Sequence, residues 1–344
     1  MQAPLARALL ALFLVLTSSA CASLGSHRLS AAENRQLAGR TYVVVGASSG
    51  FGRGTAVRLG RGGANVVLAA RRAEVLEEVA AEVRRGGGQA LVVPTDAGRP
   101  EQVEALAEAA TRRFGRIDVW MNIAGVLALG RFWDVPVEDY SRLIDTNVKG
   151  VVYGTHAALK RFVPQGFGTV VNMGSVESEI PLAYHTVYAG SKAAVLSMGR
   201  SLNQELRHAG LGRRVKVATV MPYAVDTPIW SHAANYSGRT PRMVLIDDPE
   251  IVVNALVWTS LHPKEELPVG WKAQGAVTAH RLFPDLVERV SANVQRSELA
   301  EGLPAPASSG ALHQPMRGTG KVEGGVRERI KREDAAKRRM QGPR

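Results

Sequence analysis

The chain has 344 residues, 45% of them hydrophobic and 22% charged, which excludes wholesale disorder and a polytopic membrane protein and suits one large domain with extensions. Its net charge is +12, and the stretch from Lys321 to the end alone holds nine basic and four acidic side chains, so the body is only moderately basic. The single cysteine, Cys21, excludes an intramolecular disulfide and any cysteine-cluster metal site. At the N-terminus, Arg7 precedes the apolar run from Ala8 to Leu16, and small residues follow from Thr17 to Ala22. That is the order of a secretory signal, and Ala20-Cys21-Ala22 fits its cleavage site. The run is too short to cross a hydrocarbon layer of ~30 Å as a helix. Residues 1–22 therefore read as a signal-like or anchor segment, implying membrane association or export, with an extension on a cytoplasmic protein as the alternative.

From residue 41 to 270, short β-branched runs alternate with longer helical patterns. The runs are Thr41–Val45, Asn65–Ala69, Ala90–Pro94, Ile117–Asn122, Gly168–Met173 and Val215–Val220, and helices are expected over 72–85, 100–113 and 188–208. Near-continuous apolar strands are buried on both faces, which predicts an α/β fold: a doubly wound, Rossmann-like parallel sheet in one domain over 40–275. Ligands of such sheets bind at the carboxyl ends of the strands. A helical extension is expected over 276–300. Beyond it the Gly-Leu-Pro-Ala-Pro-Ala-Ser-Ser-Gly stretch and the basic run after Arg327 predict a flexible, solvated tail over 301–344. Its interleaved acidic residues and lack of aromatics argue against nucleic acid as a partner.

The first strand runs directly into Gly46-Ala47-Ser48-Ser49-Gly50-Phe51-Gly52 and then a helix. Glycines in this order allow a tight turn and close approach of a pyrophosphate, and the helix N-terminus offers N–H groups and positive dipole to it. The second strand ends at Ala69-Ala70 and is followed by Arg71-Arg72. A carboxylate there would contact ribose hydroxyls and repel a 2′-phosphate. Alanine removes the repulsion and Arg71 offers a permanently charged fork, so NADP(H) is expected over NAD(H). Tyr188 and Lys192, four residues apart on a helix, share one face. A neighbouring ammonium and a cationic nicotinamide both favour the phenolate, which would make Tyr188 a workable acid or base near neutrality. Ser175 stands at the end of the Gly168–Met173 strand, 13 residues before the tyrosine.

Together with Asn122-Ile123-Ala124-Gly125 and the Asn147 of Asp145-Thr-Asn-Val-Lys-Gly150, these motifs resemble the short-chain dehydrogenase/reductase family, in its form with the G-x-x-x-G-x-G turn, over roughly residues 40–270. The resemblance implies an active site of Asn147, Ser175, Tyr188 and Lys192. In it the tyrosine is the acid/base, the serine orients the carbonyl, the lysine binds nicotinamide ribose and the asparagine holds a water relay. It also implies cofactor contacts at Gly46, Ser48, Ser49, Gly50, Phe51 and Gly52, at Arg71, at Asp96 beside the adenine, at Asn122, Ala124 and Pro222, and at Thr227 near the nicotinamide amide. Val45, Ile123 and Tyr223 depart from the family pattern without removing a reacting group. Tyr184 and His185 read as pocket lining, and Pro228–Leu245, with Trp230, His232 and Tyr236, reads as a substrate lid whose composition suits a fairly apolar substrate. The expected activity is hydride transfer, without a metal, between NADP(H) and a carbonyl or secondary alcohol, in a homo-oligomer joined through the helices carrying Asn147 and Tyr188. The alternative is a catalytically weak NADP(H)-binding regulatory or scaffold protein.

Overall fold

The computed structural model describes residues 27–316 and 320–340. The signal-like segment lies outside the described residues, and among these no helix is long and apolar enough to cross a membrane. Seven strands form one parallel sheet: β1 (Thr41–Val45), β2 (Asn65–Ala70), β3 (Gln89–Pro94), β4 (Val119–Asn122), β6 (Gly168–Met173), β7 (Val215–Pro222) and β9 (Glu266–Val269). A separate two-residue pairing joins β5 (Ala128–Leu129) to β8 (Ala234–Asn235). The order across the large sheet is β3-β2-β1-β4-β6-β7-β9. The chain therefore winds outward from β1 in one direction and then, from β4, in the other. The carboxyl ends of β1 and β4 part at this reversal, with Val45 opposite Asn122, and the crevice between them is where ligands of such sheets bind.

Alternation along each strand builds two cores. Val44, Val66, Leu68 and Met121 face the helices Gly50–Arg61, Ala73–Arg85 and Pro249–Thr259, while Val43, Val45, Val67 and Trp120 face Pro100–Phe114 and Gly150–Gln165. Both faces are covered, which is why the strands carry so little polarity. The expected helices are present as Ala73–Arg85, Pro100–Phe114 and Thr186–His208, and two more, Gly270–Leu282 and Pro284–Glu301, follow the sheet.

The C-terminal stretch differs from the solvated tail expected. Residues 311–316 and 320–325 lie against the mouth of the crevice, and Val326–Met340 is a helix. Two features explain this. Val326 and Ile330 join an apolar cluster with Trp230 and Met243. The acidic residues that interleave the basic run find a buried cation: Arg242 donates to Glu333 and Asp334, each at 2.8 Å. Charges spaced for solvation in the linear sequence thus become a folded ion-pair network.

Candidate active site

One cleft of about 230 Å³ runs from the glycine turn to the Tyr188 helix. At its floor the turn is held shut to side chains. A Cβ on Gly46, whose φ is +97°, would lie 2.6 Å from the Ala124 nitrogen, and one on Gly52 would lie 2.1 Å from the Gly46 oxygen. Ser48, Ser49, Gly50 and Phe51 line the cleft with them, as do Ala124, Pro222 and Thr227. This cradle at a helix N-terminus has the shape that a pyrophosphate needs, although its Gly50 N–H donates to the Lys321 carbonyl at 2.9 Å in this structure.

At the other end, β6 finishes at Met173 and Ser175 caps the short turn that follows, its Oγ accepting the Glu177 N–H at 3.1 Å. The Ser175 hydroxyl lies near enough to the Tyr188 phenol to favour its ionised form. Lys192 donates from Nζ to the Met173 carbonyl at 2.8 Å and sits 5.6 Å from the Tyr188 ring centre. The phenol and the ammonium therefore share the face that their four-residue spacing predicts. A methyl group on Gly125 would lie 3.5 Å from Lys192 Nζ and 3.6 Å from Asn147 Oδ1, so both groups flank the backbone just beyond β4.

Among this chain's own groups, burial dominates the electrostatics of the pair. Burial pushes the phenol far above its ordinary value and the Glu177 carboxylate pushes the same way, against a smaller pull from Ser175. Burial pushes the Lys192 ammonium down to about 8, with Glu177 opposing. Desolvation of the charged form outweighs attraction between the groups, as expected where water is excluded. Both burial and Glu177 thus favour the protonated phenol.

Glu177 and His185 are residues that the motif reading passed over or took only as lining. Both are buried and border the cleft, and His185 Nδ1 lies 3.0 and 3.1 Å from the two carboxylate oxygens. The one sequence signal was their position two residues after Ser175 and three before Tyr188. Tyr184, by contrast, does not line this cleft. Its backbone takes a left-handed φ of 68° and it borders a separate surface depression with Arg131 and Asp134. Of the expected lid, Pro228, Trp230, His232 and Met243 line the cleft, whereas Tyr236 turns away to donate to Asp139 at 2.7 Å.

Two asparagines serve positions other than the cleft wall. Asn122 Oδ1 accepts from Trp120 Nε1 at 2.8 Å, and its Nδ2 donates to Asn172 at 2.9 Å and Thr155 at 3.1 Å. It ties β4 to β6 and to the Gly150–Gln165 helix and does not border the crevice. Asn147 sits fully buried in a π-helical turn, Asp145–Lys149. It exchanges two 2.9 Å bonds with the Val126 backbone and donates to Ser191 Oγ at 3.1 Å. Its amide thus locks the loop after β4 to the helix carrying Tyr188. Asp96 borders the cleft. Burial works to raise its carboxyl, but the Gly98 N–H and Arg142, the latter at 2.5 Å, hold it below the usual carboxylate range.

The family model for short chain dehydrogenases matches residues 40–236. An oxidoreductase of Bacillus subtilis, YxnA, is 35% identical over 311 residues, covering 88% of this chain and 87% of its own. The chain belongs to the short-chain dehydrogenase family. As such it is a nicotinamide-dependent dehydrogenase/reductase, and its parallel sheet matches those of solved members. A short-chain dehydrogenase from Sphingobium yanoikuyae, in complex with NADPH, is 31% identical with a TM-score of 0.58 over 66% of this chain and 86% of its own. One from Mycobacterium marinum is 28% identical with the same TM-score over 69% and 96%. An oxidoreductase of Staphylococcus haemolyticus, SH0585, is 33% identical over 228 residues, 66% of this chain and 94% of its own. The Bacillus match is longer than the family core of this chain and so takes in part of its extensions, whereas the other three cover about two thirds of the chain.

Proposed function

We propose that this short-chain dehydrogenase transfers hydride between NADP(H) and a carbonyl or secondary alcohol, with Tyr188 as the acid/base. The observation that carries the reading is one continuous cleft with the glycine cradle and Arg71 at one end and Ser175, Tyr188 and Lys192 at the other. When bound, the dinucleotide supplies or accepts the hydride. The rest is the work of this chain's own residues. Ser175 holds the substrate oxygen by its hydroxyl. Tyr188, protonated because it is buried, gives its proton to that oxygen as the alcohol forms, and receives it in the reverse direction. Lys192, fixed on the Met173 carbonyl, keeps a positive charge beside the ring near neutral pH. Arg71, with no carboxylate at Ala70, supports NADP(H), as does the NADPH bound by the Sphingobium relative.

The substrate end is walled by Leu127, Val176, Trp230 and Met243, with the Glu177–His185 pair as a polar point among them, which suits a mainly apolar ketone or alcohol. The test is consumption of NADPH and NADH against a panel of ketones. NADPH oxidation at least about tenfold faster than NADH is expected, a factor worth about 1.4 kcal/mol. One observation favours the second reading, a cofactor-binding protein of weak turnover: Arg71 is engaged by this chain's own carbonyl groups. Absence of turnover with either coenzyme across the panel, with NADPH still bound, would establish it.

A further inference from the structure

We infer that the C-terminal stretches 311–316 and 320–325 are a self-made competitor for the adenosine half of the dinucleotide site, and that coenzyme binds by displacing them. The inference rests on the NADP(H) reading and concerns how that site is regulated.

The donors that phosphate groups would need are satisfied by main-chain oxygens from these stretches. Arg71 donates to the carbonyls of Ala311 at 2.6 Å, Leu312 at 3.0 Å and His313 at 3.3 Å. Arg72 donates to the Met316 carbonyl at 3.0 Å and to Ser48 Oγ at 3.1 Å. The Gly50 N–H, at the helix N-terminus of the glycine turn, donates to the Lys321 carbonyl at 2.9 Å, and Arg53 donates to that of Gly320. A row of carbonyl oxygens thus sits where a row of phosphate oxygens would.

Space gives an independent argument. Ala311, Pro315 and Met316 form a wall of the cleft and leave it about 230 Å³. Sites for drug-sized ligands run roughly 300–1,000 Å³, and a dinucleotide is larger than most such ligands. With these stretches seated, the cleft falls below the size of such sites, and lifting them would enlarge it.

The seat is specific. Leu312 is fully buried, Arg142 Nε donates to its carbonyl at 3.1 Å, and His313 Nε2 lies 2.8 Å from Asp139. Asp226 accepts the Val326 N–H at 2.8 Å, and the helix beyond is tied to Arg242. It is also reversible in principle. A 2′-phosphate brings full negative charge and can take two parallel N–H bonds from the guanidinium, where each carbonyl offers only a dipole, so it competes with the carbonyls for Arg71. The cost appears as an apparent affinity divided by the fraction of molecules with the stretches lifted.

Two single substitutions lift them without touching Arg71. A Cβ on Gly324 would lie 2.3 Å from the Thr227 oxygen, and one on Gly310 would lie 2.3 Å from the His232 oxygen. In the full-length protein, Gly324→Val and Gly310→Val are each expected to lower the Kd for 2′,5′-ADP and for NADPH at least fivefold, read by isothermal titration. In the unaltered protein, saturating 2′,5′-ADP is expected to speed trypsin cleavage after Lys321, a readout that does not depend on any variant folding. An unchanged or raised Kd, or cleavage slowed by the ligand, overturns the inference, because the stretches would then clamp the coenzyme and not compete with it. NADH titrated in parallel separates the two possible failures. If the protein binds NADH but not 2′,5′-ADP in any form, the NADP(H) reading falls and takes the inference with it. If it binds 2′,5′-ADP and neither variant tightens it, the inference falls alone.

Discussion

At the reacting end of the cleft, Ser175, Tyr188 and Lys192 are held by bonds among β6, the turn after it and the Thr186–His208 helix, all neighbours in sequence. At the adenosine end, Arg71 is held by Ala311, 240 positions further along the chain. The first arrangement is stiff and local, because the partner groups fold as part of the sheet and its next crossover. The second depends on a segment far along the chain that packs against the sheet domain from outside it. Reaction geometry and coenzyme access therefore reside in separable parts of the molecule.

The sharpest way to break this division is at the reacting end. Tyr188→Phe should lower turnover by about 10²–10⁴-fold, the usual contribution of a positioned acid/base, while NADPH fluorescence titration shows binding retained. Loss of binding in parallel would mean that the phenol organises the coenzyme site as well. At the adenosine end, Arg71→Ala should lower kcat/KM with NADPH by about 10–100-fold, the worth of a charge-assisted hydrogen bond of ~1.5–3 kcal/mol, and leave NADH nearly unaffected. Equal gains for both coenzymes would place Arg71 in the seating of the C-terminal stretches alone, since its loss would then only free the site.

Asn122→Ala tests a boundary between the two ends. It should cost about 1–3 kcal/mol in urea unfolding, by stranding the buried Trp120 N–H and the Asn172 amide, with KM for NADPH unchanged. Glu177→Gln makes a smaller change, one of pH dependence. The Glu177 carboxylate raises the phenol, so removing its charge lets the phenol ionise at lower pH. Alcohol oxidation, which uses the phenolate, should keep its rate further into acid, seen as a shift of the acidic limb of kcat/KM to lower pH. A shift toward higher pH would show that Glu177 acts through its hydrogen bond with His185 and not through its charge.

Much of the fold was legible because β-branched runs buried on both faces have few alternative arrangements. The glycine turn was legible because the backbone itself, packed within 2.1 Å of any added side chain at Gly52, forbids other residues. The pairing of Tyr188 with Lys192 followed from helix geometry alone. Less could be read where an outcome depends on what arrives from elsewhere. Asn122 and Asn147 carry the right residue types, but their amides face interior partners on three other elements rather than the cleft. The burial that raises the Tyr188 phenol could not be read either, because the exclusion of water is encoded in no spacing.

Strand periodicity, the glycine turn and the four-residue step from tyrosine to lysine were determined by the sequence itself, since each depends on residues close together along the chain. Where the basic C-terminal stretch goes was decided only by the tertiary structure. Its hydrophilic composition allows a solvated tail, and it takes its place because the buried Arg242 and Asp226 and the half-buried Arg71 present charge to it from positions far back along the chain. Burying those charges is favourable only when their partners are in position, a condition met by the folded molecule and written in no local segment of it.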